Sequence, residues 1–391
     1  MITVHIPLSA PDITEKEIEA VSAVLRTPRL SLGPELEAFE HALAEYHSVD
    51  YAVAVSSGTA GLHLALLVLG VGEGDEVIVP SFAFVAVANA VLQVRAAPVF
   101  AEIDPLTLNL DPASVERAIT PRTRAILVVH TFGVPADMDA LQMIARLHGL
   151  VLIEDACEAL GACFGSQAAS RRVGSFGDLA VLGFYPNKQL TTGEGGAVLC
   201  RGVGSAGRLR SLRNQGRSAE SGPSVATGDG APRPSGWLDH SELGYNYRLS
   251  EMACALGRVQ LSRLEEMLAL REAAARRYDA LFAEISGIER PPIELPRRVL
   301  SWFVYAIRLP ERVNRDHVQE VLADRGIATG RYFPPIHLQP AWRTRLSVAA
   351  SLPLTEAIAG RMLALPFFNR ITADQQQEVA EVLSQAILSE G

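Results

Sequence analysis

Lys188 and Asp155 are the residues whose types and settings most directly suggest chemistry. Lys188 lies in Val181-Leu-Gly-Phe-Tyr-Pro-Asn-Lys-Gln-Leu-Thr-Thr-Gly-Glu-Gly-Gly196, between two apolar runs. A lysine withdrawn from bulk water loses its proton more readily and attacks carbonyls. Asp155 closes the apolar run Leu150-Val-Leu-Ile-Glu-Asp155. A carboxylate held at a strand end can partner a pyridinium nitrogen. Together the two residues suggest an enzyme that uses pyridoxal 5'-phosphate (PLP).

Other segments can be tested against that chemistry. Ser56-Ser-Gly-Thr-Ala-Gly61 follows a predicted strand and opens a predicted helix. Amides at a helix start, with the Thr59 hydroxyl, favour a phosphate, and Gly58 permits a close approach. An ordinary capped helix would read the same way. Pro80-Ser-Phe-Ala-Phe-Val85 also leaves a strand. Phe82 or Phe84 could lie against a pyridine ring or belong to the core, and Phe84 is the better ring candidate in combination with the other sites. The competing roles are an N-cap for Asp155 and a solvated surface position for Lys188. Cys157 follows Asp155 closely and could line a site, although a structural role is the simpler reading.

The elements that must position these groups are legible as a pattern. The expected strands are Tyr51–Val55, Glu76–Pro80, Ala97–Glu102, Ala125–His130, Leu150–Glu154, Asp178–Phe184 and Gly196–Cys200. Most are continuously apolar, as in strands covered on both faces. Helices expected over Thr59–Gly70, Phe84–Val94, Pro112–Ile119 and Ala136–His148 separate the early strands, which predicts an open, mostly parallel α/β sheet. Residues 12–27 read as a capped amphipathic helix with Ile18, Val21 and Leu25 on one face. Ser218–Gly236, rich in Gly, Ser and Pro, is expected to be a long exposed loop. A long helix over Leu249–Leu281 should link two domains, residues 1–250 and 251–391, the second a smaller α+β unit. That unit should hold a strand at Trp302–Leu309 and helices at Asn314–Arg325, Thr355–Leu365 and Thr372–Leu388.

Bulk properties agree. The chain has 391 residues, 48% hydrophobic and 20% charged, as in globular proteins. A net charge of −9 argues against a broad grip on nucleic acid. Met1–Pro7 shows no secretory pattern and no apolar run is long enough for a membrane span. The four cysteines form no CxxC pair and share no metal-ligand spacing with the nine histidines. Reduced thiols, a cytoplasmic location and no metal are the expectation.

The combined segments resemble the DegT/DnrJ/EryC1/StrS family of PLP-dependent sugar aminotransferases. The matching pieces are Gly33-Pro-Glu-Leu-Glu-Ala-Phe-Glu40, Ser57-Gly-Thr59, Ile153-Glu-Asp155, Phe184-Tyr-Pro-Asn-Lys188, Thr191-Thr-Gly-Glu-Gly-Gly196, Leu243-Gly-Tyr-Asn-Tyr-Arg-Leu-Ser-Glu251 and Tyr332-Phe-Pro-Pro-Ile-His337. The resemblance runs over about residues 7 to 385. It implies the PLP-dependent transferase fold of aspartate aminotransferase (type I).

It also implies roles. Lys188 would form the Schiff base with the cofactor and shuttle protons, Asp155 would pair with the pyridinium nitrogen, and Phe84 would stack on the ring. Gly58, Thr59 and Ala60 would hold the phosphate, and Asn246 would reach the phosphate of a neighbouring subunit's cofactor in a homodimer. Tyr185, Tyr332 and His337 would lie near the sugar nucleotide. Arg213, Arg217 or Arg331 would take the carboxylate of glutamate (or glutamine), the amino donor. Two departures stand out: Gly183 where many relatives carry Ser, and Glu158 where many carry Gln or His.

The intact Thr191–Gly196 segment resembles enzymes acting at carbon 4 of a 4-keto-6-deoxy sugar nucleotide. Action at carbon 3 or on a cyclitol is the nearest alternative. A PLP-dependent sugar-nucleotide dehydratase is another, but relatives of that type replace the Schiff-base lysine with His. A non-catalytic regulator would not need the full cofactor set.

Overall fold

The computed structural model describes residues 5–166, 168–217, 224–226, 232–234, 239–345 and 351–389. The apolar runs form one seven-stranded sheet from Tyr51–Val55 (β1), Glu76–Pro80 (β2), Ala97–Ala101 (β3), Thr123–Val129 (β4), Val151–Asp155 (β5), Leu179–Gly183 (β6) and Gly196–Cys200 (β7). Their order is β1-β7-β6-β5-β4-β2-β3. β2 to β6 pair in parallel, whereas β7 runs antiparallel to both β1 and β6. The mostly parallel α/β expectation therefore holds.

Both sheet faces are covered, which is why the strands lack polar alternation. Helices Glu15–Leu25 (α1), Pro34–His47 (α2), Gly58–Val68 (α3), Ala86–Gln93 (α4), Pro112–Ala118 (α5), Met138–His148 (α6) and Val203–Leu212 (α7) belong to this part of the chain. Val53 and Val55 enter a core with α3, α4 and α7, and Ala52 and Ala54 enter the opposite core with α2. The α2 helix begins at the Gly33-Pro-Glu motif, with Pro34 in its first turn. Its N-terminal amides at Gly33, Glu35 and Leu36 donate to the Glu251 carboxylate over 2.9, 2.8 and 3.1 Å. Two motifs far apart in sequence thus meet as an anion on a helix N-terminus.

The linking element is two helices, Glu251–Ser262 (α8) and Leu264–Phe282 (α9), rather than one continuous helix. Arg263 at the joint is turned inward, pairing with Glu17 at 2.6 Å and Asp12 at 3.5 Å. α9 starts in the large-domain core with Leu264 and Met267, and ends in a second core with Tyr278 and Phe282. That second core holds the antiparallel pair Tyr305–Arg308 (β8) and Met362–Leu365 (β9), with helices Arg315–Asp324 (α10) and Ala373–Leu388 (α13) around it, whereas Trp342 of Pro340–Arg343 (α11) enters the core of α3 and α4, and Ile358 and Ala359 of Pro353–Arg361 (α12) cluster with Phe82 and Phe333. The expected helix Thr355–Leu365 thus stops at Arg361, because Met362-Leu-Ala-Leu365 pairs as a strand. Ile6 belongs to this second core as well, bridging in parallel to Ile327.

The expected Ser218–Gly236 loop lies mostly outside the described residues. Its described pieces, Ser224–Ala226 and Pro232–Pro234, pair antiparallel.

The orientation of α1 differs from expectation. Ile18 and Leu25 are 49% and 61% exposed, Val21 is half-buried, and the residues turned inward are Glu17 and Val24. The cause is polar rather than apolar. Glu17 accepts from Arg263, from Gln260 at 2.9 Å, and from the Thr14 amide at 2.8 Å and the Thr14 hydroxyl. Burial pushes the Glu17 carboxyl up, but those hydrogen bonds outweigh it and hold it at about 2. Because the folded value lies below the ordinary 4.5, this stabilisation is complete above about pH 4.5 and is lost as pH falls towards about 2. Glu17→Gln is expected to cost about 3 kcal/mol at neutral pH, since it leaves the buried Arg263 partly unpaired. Urea unfolding of both proteins checks this, with a gap that narrows below about pH 4.5.

Candidate active site

Strand β5 ends in two carboxylates, and pleating sends them to opposite faces. Glu154 turns away from the carboxyl-edge crevice and is fully buried. It accepts from the amides of Gly174, Phe176 and Gly177 over 2.8, 2.7 and 2.6 Å, and from His130 Nε2 at 3.0 Å. His130 Nδ1 accepts the Ala136 amide, so the ring donates through Nε2. Burial pushes Glu154 up, but the His130 hydrogen bond and the amides bring it below the ordinary carboxylate value. Asp155 instead opens into a cavity of about 500 Å³ at the crevice where open α/β sheets bind ligands.

The same cavity holds Lys188, Gly58, Thr59, Phe84 and Glu158. Lys188 is carried by the turn after β6, and its amide donates to the Tyr185 carbonyl at 2.9 Å. Its ammonium lies 3.6 Å from Glu158 Oε1 and 4.0 Å from the centre of the Phe303 ring. Lys188 and Glu158 are only 15% and 7% exposed. Burial raises the Glu158 carboxyl above its ordinary value, although Lys188 and the Phe132 amide at 3.0 Å pull the other way. Phe84 is 61% exposed, whereas Phe82 is buried against Phe132 and Phe333. Alternation at the strand exit therefore separates a ring available to a ligand from a core ring.

The helix start is built for a close approach. A side chain at Gly196 would bring a Cβ within 2.7 Å of the Gly58 nitrogen, so glycine lets α3 sit directly on β7. The Ala60 amide already donates to the Ser57 hydroxyl at 3.1 Å. Among the described residues nothing accepts from the amides of Gly58 and Thr59. Asn187 Oδ1 is buried near Tyr332 without a hydrogen-bond partner.

These features fit PLP. Free amides at a helix start suit its phosphate, Asp155 suits a protonated ring nitrogen, an exposed aromatic suits the ring, and Lys188 suits the carbonyl carbon.

Several expected residues are not brought to the cavity. His337 is buried between Ser81 and Glu356, with its Nδ1 2.6 Å from Ser81 Oγ, and has no wall of the cavity. Arg213 is buried in an ion pair with Glu40 and donates to the Ala54 carbonyl at 2.7 Å. Arg331 is taken by Asp316 at 2.8 Å and Gln319 at 2.6 Å. Arg217 bridges to His240 outside the cavity. Asn246 is exposed and bridges to Asn214, away from the cavity of its own chain. Tyr185 and Tyr332 do line it.

Sequence reasoning missed three contributors. Phe303 forms the surface under Lys188. Arg271, buried in α9, donates to the carbonyls of Trp302, Phe303 and Lys188 over 3.2, 3.1 and 3.4 Å. Burial without a carboxylate partner in contact brings its guanidinium down to about 10. Gln189 donates to the Glu158 carbonyl at 2.6 Å and to Ser301. A lone Arg in the apolar stretch Leu268-Ala-Leu-Arg271 was the available signal.

The chain matches the DegT/DnrJ/EryC1/StrS aminotransferase family model over residues 11–384. It is 39% identical over 368 residues to dTDP-3-amino-3,4,6-trideoxy-alpha-D-glucose transaminase of Streptomyces venezuelae, covering 94% of this chain and 90% of that one. It is 36% identical to GDP-perosamine synthase of Caulobacter vibrioides, covering 98% and 99%. The PLP form of Spr1654 from Streptococcus pneumoniae superposes with a TM-score of 0.89 at 26% identity, over 99% of both chains. The fold and cavity are those of a PLP-dependent aminotransferase. The chain belongs to the DegT/DnrJ/EryC1/StrS aminotransferase family.

The glycine at position 183 is explained by a neighbour. A Cβ at Gly183 would stand 3.0 Å from both Cβ and Sγ of Cys157, whose thiol also fills the space beside Gly58. Cys157 and a side chain at 183 are therefore alternatives. Gly183→Ser is expected to weaken PLP binding about tenfold through this overpacking. Adding Cys157→Ala, which removes the Sγ contact and keeps the Cβ one, should restore part of it. Fluorescence titration of the apo-proteins checks the pair, and equal losses in the single and double variants would contradict the coupling.

Proposed function

We propose that the enzyme moves an amino group from glutamate to a keto-sugar nucleotide, with a 4-keto-6-deoxy sugar as the acceptor. The observation that carries this reading is Lys188, largely buried in one cavity with Asp155 and a helix start whose amides are free. PLP supplies an electron sink that makes the carbon bearing the amine acidic. In this reading the protein's groups do the rest. Asp155 holds the ring nitrogen's proton, Gly58 and Thr59 hold the phosphate, and Phe84 covers one ring face. Lys188 binds covalently at rest and carries a proton at Nζ between donor and acceptor carbons during turnover. Tyr185 and Tyr332, at the cavity mouth, orient the sugar.

GDP-perosamine synthase and a dTDP-3-amino sugar transaminase both stand among the similar proteins, so action at carbon 3 is the second reading. The intact Thr191–Gly196 turn favours carbon 4. The turn is rigid, because Thr191 Oγ1 donates to the Phe184 carbonyl at 3.0 Å and Thr192 Oγ1 to the Glu194 carbonyl at 2.8 Å.

The same reading makes the active site a product of two subunits in the cytoplasm. Among the described residues lining the cavity, Lys188 is the only Lys or Arg. The phosphates of a nucleotide and the carboxylate of glutamate thus need cations from outside this set. Asn246 and the 84%-exposed Leu243 lie on a surface that a second copy would cover.

Glutamate added to the PLP-loaded protein is expected to convert the cofactor to its amino form, seen as a shift of its absorption band. Lys188→Ala should abolish the shift and lower turnover at least about 10³-fold. Nuclear magnetic resonance of the amino sugar formed from a 4-keto nucleotide distinguishes carbon 4 from carbon 3. No absorption change with glutamate would overturn the reading.

A further inference from the structure

Lys188 is an ammonium ion paired to a single carboxylate, and this arrangement poses a problem for any carbonyl that is to bond to its nitrogen. The nucleophile is the free amine, so a proton must leave Nζ inside a cavity that shields both groups from water. Among the described residues, Glu158 is the one carboxylate in an ion pair with Lys188, at 3.6 Å. Glu158 Oε2 is occupied by the Phe132 amide at 3.0 Å, which leaves Oε1 facing the lysine. Its own backbone is clamped as well, since Gln189, the residue after Lys188, donates to the Glu158 carbonyl at 2.6 Å. The two side chains are thus held at a set separation by bonds on both sides.

We propose that Glu158 is the proton acceptor that discharges Lys188 when the cofactor's aldehyde is captured. The proton moves from Nζ to Glu158 Oε1, turning an ammonium–carboxylate pair into an amine and a carboxylic acid. The amine then attacks the aldehyde carbon. A C=N bond forms, the C=O bond breaks, and the oxygen leaves as water. No external oxidant or reductant is involved, and a buried ion pair becomes two neutral groups. The 3.6 Å separation is a little long for a hydrogen bond, as is common before a reactant tightens the site.

The surroundings favour the transfer. Glu158 is faced by Lys188 from the turn after β6, by Asp155 and Cys157 from the end of β5, and by Tyr332 from the smaller domain. Burial and the Asp155 charge raise its proton affinity, while Lys188 and the Phe132 amide lower it. Phe303 gives the ammonium a ring face but no acceptor for its proton.

This inference rests on the cavity being the PLP site, and the test separates the two. Stopped-flow mixing of apo-protein with PLP measures the capture rate over a range of pH. Equilibrium titration with 4-deoxypyridoxine 5'-phosphate, which lacks the aldehyde, reports on the shape of the site alone. Glu158→Gln is expected to slow capture about 100-fold at neutral pH, with a rate that climbs steeply as pH rises, while deoxypyridoxine phosphate binding is unchanged. Glu158→Asp should recover part of the rate. An unchanged rate and pH profile in Glu158→Gln would overturn the proposal. So would an equal loss of deoxypyridoxine phosphate affinity, which would make Glu158 a shape-giving residue. Failure of the wild-type protein to capture PLP at all would instead remove the underlying cofactor assignment.

Discussion

A carboxylate sealed from water at the end of β5 is the constraint on which the large domain turns. Glu154 stays ionised there only because three amides and an imidazole converge on it. Those donors come from the 174–177 turn and from the end of β4, so one charge gathers the segments that flank the crevice. Strand pleating does the rest, because whatever fixes Glu154 inward also fixes Asp155 outward. Asp155 is therefore turned by its sequence neighbour, and the Cys157 amide, donating to its Oδ1 at 3.0 Å, fixes it further.

A second layer of the same logic runs through α9. The surface under Lys188 is Phe303, from the segment beyond α9, and Arg271 from α9 ties the carbonyls of Lys188 and Phe303 together. Gln189 adds a tie to Ser301. Lys188 thus sits on a turn of the seven-stranded sheet that is buttressed by α9 and the segment after it, and a shift of either would be felt at its nitrogen.

The sheet was readable because its strands are short apolar runs with glycine or proline between them. Tyr51–Val55, Glu76–Pro80 and Gly196–Cys200 are found with the expected limits. The cavity set Lys188, Asp155, Gly58, Thr59 and Phe84 also comes together as the motifs suggested, with Glu158 beside it. What escaped is instructive. α1 turns its apolar stripe outward because a polar group, Glu17, has the stronger claim on the interior. His337 and Arg213 look like ligand residues by type, yet their partners Ser81 and Glu40 come from distant segments that no local pattern reveals. Met362–Leu365 reads as the tail of a helix until β8 offers it a ladder.

Ile6 pairs with Ile327, and both pack with Leu383 and Ile387 of α13. The smaller unit therefore has an early piece and late pieces, with the whole seven-stranded sheet strung between them. During synthesis Ile6 waits, unpartnered, for residues made hundreds of positions later. Completion of the second core is thereby ordered in time by chain topology, and an apolar stretch must be kept from aggregation throughout that interval.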